Sequence, residues 1–67
     1  MSPLELSDEE RRRLRHDFRT PLTIVTGFGE VLAGDRQIDD DDRRDYARRI
    51  VEAGQEIRAM LDGLLGD

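Results

Sequence analysis

The stretch LRHDFRTPLTIVTGFGEVL, residues 14–32, decides the fold. Its apolar positions Leu14, Phe18, Pro21, Val25, Phe28 and Leu32 follow one another at intervals of 4, 3, 4, 3 and 4. That alternation is the a/d seam of a helix packed lengthwise against others. Leu22, Ile24 and Val31 widen the stripe, as in a bundle helix rather than a narrow two-stranded coil. Tyr46, Ile50, Ala53, Ile57, Met60 and Leu64 repeat the same 4, 3, 4, 3, 4 spacing, flanked by Ala47, Leu61 and Leu65. No strand-like alternation competes with either reading.

The ends of both helices are marked. Ser7 followed by Asp8, Glu9 and Glu10 is a capping-box pattern with Ser7 as N-cap and Glu10 at N3, and the acids suit the positive end of the helix dipole. Gly34 follows Ala33 as a C-cap. In IDDDD, Asp39 or Asp40 serves as the second N-cap, with the other acids in the first turn. Calcium binding is the alternative reading of Asp39–Asp42, but the glycine and distal glutamate of an EF-hand loop are absent, so capping is preferred.

The expected organisation is therefore a leader over 1–7, helix 1 over 8–33, a loop over 34–39 and helix 2 over 40–65, one domain in all. The short connection favours antiparallel neighbours in a helical hairpin. Each helix would be about 39 Å long at 1.5 Å per residue. Two helices cover only one side of each stripe, and a chain of 67 residues supplies little core. The fold class expected is all-α: an antiparallel two-helix hairpin that dimerises into a four-helix bundle.

Composition narrows the function. There is no cysteine, so neither a disulfide nor a thiolate metal site is available, and a single histidine argues against zinc. A formal net charge of -5 disfavours nucleic acid as a partner. All eleven basic residues are arginine. No apolar run approaches the roughly 20 residues of a membrane span, and no signal-peptide pattern opens the chain, so a cytoplasmic module is expected, with membrane attachment of a longer parent left open.

The lone histidine, His16, lies two residues from both Leu14 and Phe18, about 200° around the helix from the seam. It points outward, sharing its face with Thr20, Thr23 and Gly27, with Arg12, Arg13 and Arg19 as its i−4, i−3 and i+3 neighbours. Arg12 and Arg13 each stand four residues after an acid, Asp8 and Glu9, which suggests i,i+4 ion pairs. Pro21 removes the amide that would bond the carbonyl of Asp17, so a kink is expected beside the histidine. Gly27 and Gly29 each weaken the helix by about 1 kcal/mol, which a close approach by a neighbour or a need for flexibility would explain.

HDFRTPLT, residues 16–23, resembles the H-box of sensor histidine kinases: His, Glu or Asp, any residue, Arg or Lys, Thr or Asn, Pro, Leu. His16, Asp17, Arg19, Thr20, Pro21 and Leu22 fall on matching positions, and IVTGFGEVL and MLDGLL are similar to the rest of the family's dimerisation and histidine-phosphotransfer domain. The resemblance implies that His16 accepts the γ-phosphoryl group of ATP and passes it to an aspartate of a response regulator. It implies that Asp17 is the general base and that Thr20 orients a water for phosphatase action; Arg19, with Arg12 and Arg13, would screen the charge of the phosphate, although ion pairing with Asp8 and Glu9 is the preferred reading of Arg12 and Arg13. The implied partners are a second copy of the chain, a separate ATP-binding catalytic domain and a receiver domain. No cofactor is expected in this chain; ATP and Mg would be bound by the separate catalytic domain, because GFGE at 27–30 has the wrong spacing for a nucleotide loop. A stand-alone phosphorelay phosphotransferase and a non-catalytic dimerisation module remain as alternatives.

Overall fold

The computed structural model describes residues 5–66. Most of the expected leader, residues 1–4, lies outside the described residues. Two α-helices make up most of the described residues: α1, Asp8–Ala33, and α2, Asp40–Leu65, joined by residues 34–39. There is no strand among the described residues.

Both helices begin where a side chain satisfies their free amides. The Ser7 hydroxyl accepts from the Glu10 amide at 3.1 Å, and the Glu10 carboxylate accepts from the Ser7 amide at 2.9 Å. This reciprocal box holds the Glu10 carboxyl below its ordinary pKa, first through the Ser7 backbone bond, then through the Ser7 hydroxyl and the charge of Arg13. At α2 the Asp42 amide donates to Asp39 at 2.8 Å, which settles the N-cap as Asp39. Asp40 is occupied by Arg43 at 2.9 Å, and Arg43 also donates to the Ile38 carbonyl at 3.3 Å. These acids thus serve helix ends and helix-surface pairs.

The helix C-termini differ. Gly34 caps α1 in an extended conformation (φ -80, ψ -178), its amide donating to the Val31 carbonyl at 3.3 Å. A left-handed cap is absent there, and the small residue is explained by space: a Cβ would lie 3.3 Å from the Glu30 carbonyl oxygen. Gly66, after α2, is the one that takes the left-handed conformation (φ 80).

The helices pack as an antiparallel hairpin with Cα extents of 49 × 22 × 13 Å. One aromatic pair fixes the register near the loop. The Phe28 and Tyr46 rings lie 5.0 Å apart at 30°, and the Arg49 guanidinium sits 5.6 Å over Phe28. Asp45 holds that arginine, accepting from Arg49 Nε at 3.0 Å, and also accepts from Arg48. These bonds, Arg49 first, keep the Asp45 carboxyl below its ordinary pKa.

Seven residues before Phe28 and seven after Tyr46 stand Pro21 and Ala53, level with each other in this register. They are the two buried residues of the helices, Ala53 at 3 % exposure. Both are compact side chains near the midpoint of their helices. α1 runs unbroken through Pro21, so the proline alters the hydrogen bonding of the helix without ending it.

The remaining seam residues point inward but are only half-buried: Leu14, Phe18, Val25, Phe28 and Leu32 on α1, and Tyr46, Ile50, Ile57, Met60 and Leu64 on α2. Leu22, Val51, Leu61 and Leu65 are exposed, the last two of α2 at 43 % and 61 %.

Two predictions follow from this packing. Replacing Ala53 by Leu inserts three extra carbons at a buried position of the hairpin, which costs about 1–3 kcal/mol. The expected result is a lower urea midpoint for Ala53→Leu, and an unchanged midpoint would show that the contact is not tight. The second concerns acid. Glu10 and Asp45 have folded pKa values below their ordinary 4.5 and 3.8, so the stability they add is complete above those values. It is lost as pH falls through the lowered folded values, because the unfolded chain then binds more protons. Thermal melts should therefore weaken below about pH 4.5, with the dependence flattened in Asp45→Asn.

Candidate functional site

The burial of Leu14 and Phe18 sets the rotation of α1 and thereby turns His16 away from α2. Its side chain is 84 % exposed. Asp17, 51 % exposed, brings Oδ1 to 3.6 Å from His16 Nδ1. Consecutive residues on a helix do not face one another, which explains why this separation exceeds a hydrogen-bond length. The carboxylate nonetheless stands on the Nδ1 side of the ring. Nε2 has no hydrogen-bond partner among the described residues.

Thr20 lies one turn further along the same face and is exposed. Its hydroxyl makes no hydrogen bond among the described residues. Thr26 is the contrast: its hydroxyl donates to the Leu22 carbonyl at 3.0 Å and the Thr23 carbonyl at 3.3 Å, as threonines within helices commonly do. Pro21 sits on the buried side, five residues after His16, so the residue that interrupts the backbone ladder is anchored while the histidine projects. The interruption falls on the carbonyl of Asp17, the neighbour of His16.

The arginines do not pair as their spacing suggested. Neither Arg12 with Asp8 nor Arg13 with Glu9 forms an ion pair within 4.0 Å; Asp8 instead lies 4.0 Å from Arg11. Glu10 is engaged by Ser7. Arg12, Arg13, His16 and Glu9 line one shallow, open hollow on the outer face of α1. Arg19 is exposed on the far side of His16 and does not line it. Spacing had offered Arg12 and Arg13 acids at i−4, and only side-chain geometry shows those acids unused.

Gly27 continues the outer face beyond Thr23. A Cβ at Gly27 or Gly29 would meet nothing within 4 Å, so neither glycine is needed for the approach of α2. Beside Gly27, Thr23, Ile24, Phe28 and Val31 form a shallow, mostly apolar depression.

The sequence pattern of the His Kinase A (phospho-acceptor) domain family matches residues 8–66, both helices and the loop between them. The chain belongs to this family. It is a histidine-kinase phosphoacceptor domain, with the all-α hairpin that its seams indicate. Among curated relatives, the cell-division control histidine kinase PdhS of Brucella anthropi is 38 % identical over 55 residues, covering 79 % of this chain and 5 % of that protein. The PdhS proteins of Brucella ovis and Brucella suis match at the same identity and coverage. The chain thus spans about 5 % of the length of these curated relatives. No solved structure matches the chain. No helix among the described residues is long and apolar enough to cross a membrane.

Proposed function

We propose that His16 is the phosphoacceptor of a two-component sensor kinase. The observation that carries this reading is an exposed imidazole with a carboxylate on its Nδ1 side, projecting from the face of α1 opposite the packed seam. With the proton on Nδ1, the lone pair of Nε2 attacks the γ-phosphorus of ATP. The bond from that phosphorus to the β–γ bridging oxygen breaks, and ADP departs. Positive charge builds on the ring as the N–P bond forms, and Asp17 offsets it from the Nδ1 side while fixing the tautomer. ATP and Mg are held by a separate catalytic domain, which supplies the positioning that phosphoryl transfer needs.

The phosphoryl group then passes to an aspartate of a receiver domain, whose carboxylate oxygen attacks phosphorus as the N–P bond breaks. Thr20 suits the reverse duty: its unspent hydroxyl, one turn from His16, orients a water for hydrolysis of the receiver's phosphoaspartate. Arg19 adds positive charge on the same face. Pro21 leaves the Asp17 carbonyl without its helical partner, and the local loosening lets the backbone bend as partners dock. Such a module works in the cytoplasm, where ATP and receiver domains are found.

The half-buried seams support a homodimer in which two hairpins close a four-helix bundle. Light scattering should give twice the 7.7 kDa chain mass; a monomer mass independent of concentration would refute the dimer.

Phosphoryl transfer is tested by adding a cognate catalytic domain and Mg-ATP. Acid-labile, base-stable label should appear on the wild-type chain and vanish in His16→Ala. Asp17→Asn should slow labelling about 100-fold, at the lower end of what a positioned acid–base group contributes, while the dimer survives. Label that persists in His16→Ala removes the assignment. Label that arrives only from a phosphorylated receiver would instead make the chain a phosphorelay component.

A further inference from the structure

The two helices use their arginines differently. On α2, Arg43 pairs with Asp40, Arg48 with Asp45 and Glu52, and Arg49 with Asp45. On α1 only Arg11 reaches an acid, and that at 4.0 Å. Arg12, Arg13, Arg15 and Arg19 form no ion pair within 4.0 Å among the described residues, although the charge of Arg13 also acts on Glu10, whose carboxylate is bonded to Ser7. Two of these, Arg12 and Arg13, share a hollow with His16. Helix geometry accounts for the meeting. Cα–Cβ bonds tilt toward the helix N-terminus, so the imidazole leans over the turn that carries residues 12 and 13. Asp17 stands at Nδ1, which leaves Nε2 as the ring nitrogen for a substituent. Glu9 lines the same hollow without coming within 4.0 Å of either guanidinium, so it does not occupy them.

We propose that Arg12 and Arg13 form a guanidinium cradle for the phosphoryl group carried on Nε2 of His16, a role that rests on His16 being the phosphoacceptor. A phosphoryl group carries about −1.5 to −2 charge near neutrality and three acceptor oxygens. Guanidinium forks match those oxygens in shape and charge. Two forks on one turn neutralise the group without a metal ion at the histidine. The cradle holds the phosphoryl oxygens toward the N-terminal side of His16, leaving the Thr20 side open to an incoming receiver. Arg12 and Arg13 are positioning residues for the transferred group, distinct from the H-box residues that follow them.

Because His16 is the only histidine, phosphoramidate can load this one imidazole without any kinase. The P–N bond of the reagent breaks, ammonia leaves, and the phosphoryl group bonds to the ring nitrogen. Phosphorus NMR followed against pH then gives the titration midpoint of the phosphoryl group. At low salt the midpoint of the wild-type chain should lie below that of Arg12→Ala/Arg13→Ala by about half a pH unit or more, since nearby cations favour the more highly charged form. The gap should close in about 1 M salt, where screening acts within roughly 3 Å. The Lys pair at these two positions should recover part of it, and the Gln pair none. Arg11→Ala, which lies outside the hollow, should leave the midpoint in place. Equal midpoints in wild type and both neutral double variants overturn the cradle, as does an equal displacement by Arg11→Ala, which would mean diffuse charge. Failure of ATP-dependent labelling at His16 would count against the phosphoacceptor reading and would leave the chemically loaded comparison intact, so the two failures are distinguishable.

Discussion

The rotation of α1 about its own axis is the constraint on which the site depends. Leu14, Phe18, Pro21, Val25, Phe28 and Leu32 must all face α2, and a rigid helix then has no freedom left in where His16 points. Apolar burial far from the histidine thus does the work of presenting it. The Phe28–Tyr46 stack fixes how far the helices slide past each other, and Pro21 and Ala53, level in that register, are the residues the hairpin buries. A site on such a helix is more sharply oriented than one on a loop, because every turn of the seam restrains it.

The same packing leaves the hairpin short of a core. With full burial limited to Pro21 and Ala53, most of the apolar seam retains water contact in the isolated chain. A hairpin of this size gains little from its own interface. Closing the bundle with a second copy would bury the other side of both stripes. It would leave the outer face of α1 untouched, since that face lies about 200° from the seam. The proposed dimer interface and the proposed phosphoryl-transfer site would therefore occupy separate surfaces of one helix, and neither would have to be given up for the other.

Much of this was legible in the sequence. The 4, 3 spacing named the inward residues of both helices, and Ser7–Glu10 and the Asp39–Asp42 run named their starts. Periodicity also placed His16 outside, and the H-box pattern suggested the chemistry proposed for it. Ion pairing was not legible. An arginine on a helix has acids at i−3 and i−4 that differ by only a few tenths of a kcal/mol, so spacing does not choose between them. Arg11 took Asp8, and Ser7 took Glu10. The Asp45–Arg49–Phe28–Tyr46 cluster was hidden for another reason: it needs the cross-helix register, which no single helix encodes. Gly34 and Gly66 look alike as helix-end glycines, yet only Gly66 is left-handed.

Pro21 shows why a costly residue stands at the centre of the hairpin. In an exposed helix interior proline loses about 3 kcal/mol relative to alanine. Here its ring is fully buried in the hairpin, so part of that loss is offset by apolar burial. What is not offset falls on one carbonyl, that of Asp17, immediately beside the outward histidine. Moving the proline by one turn in either direction would keep a seam position or a near-seam position but would release a different carbonyl. The seam thus explains how a proline is tolerated in this helix, and the position of the freed carbonyl links its placement to His16. Packing on one face and backbone chemistry on the other meet at a single residue, and the helix remains continuous through both.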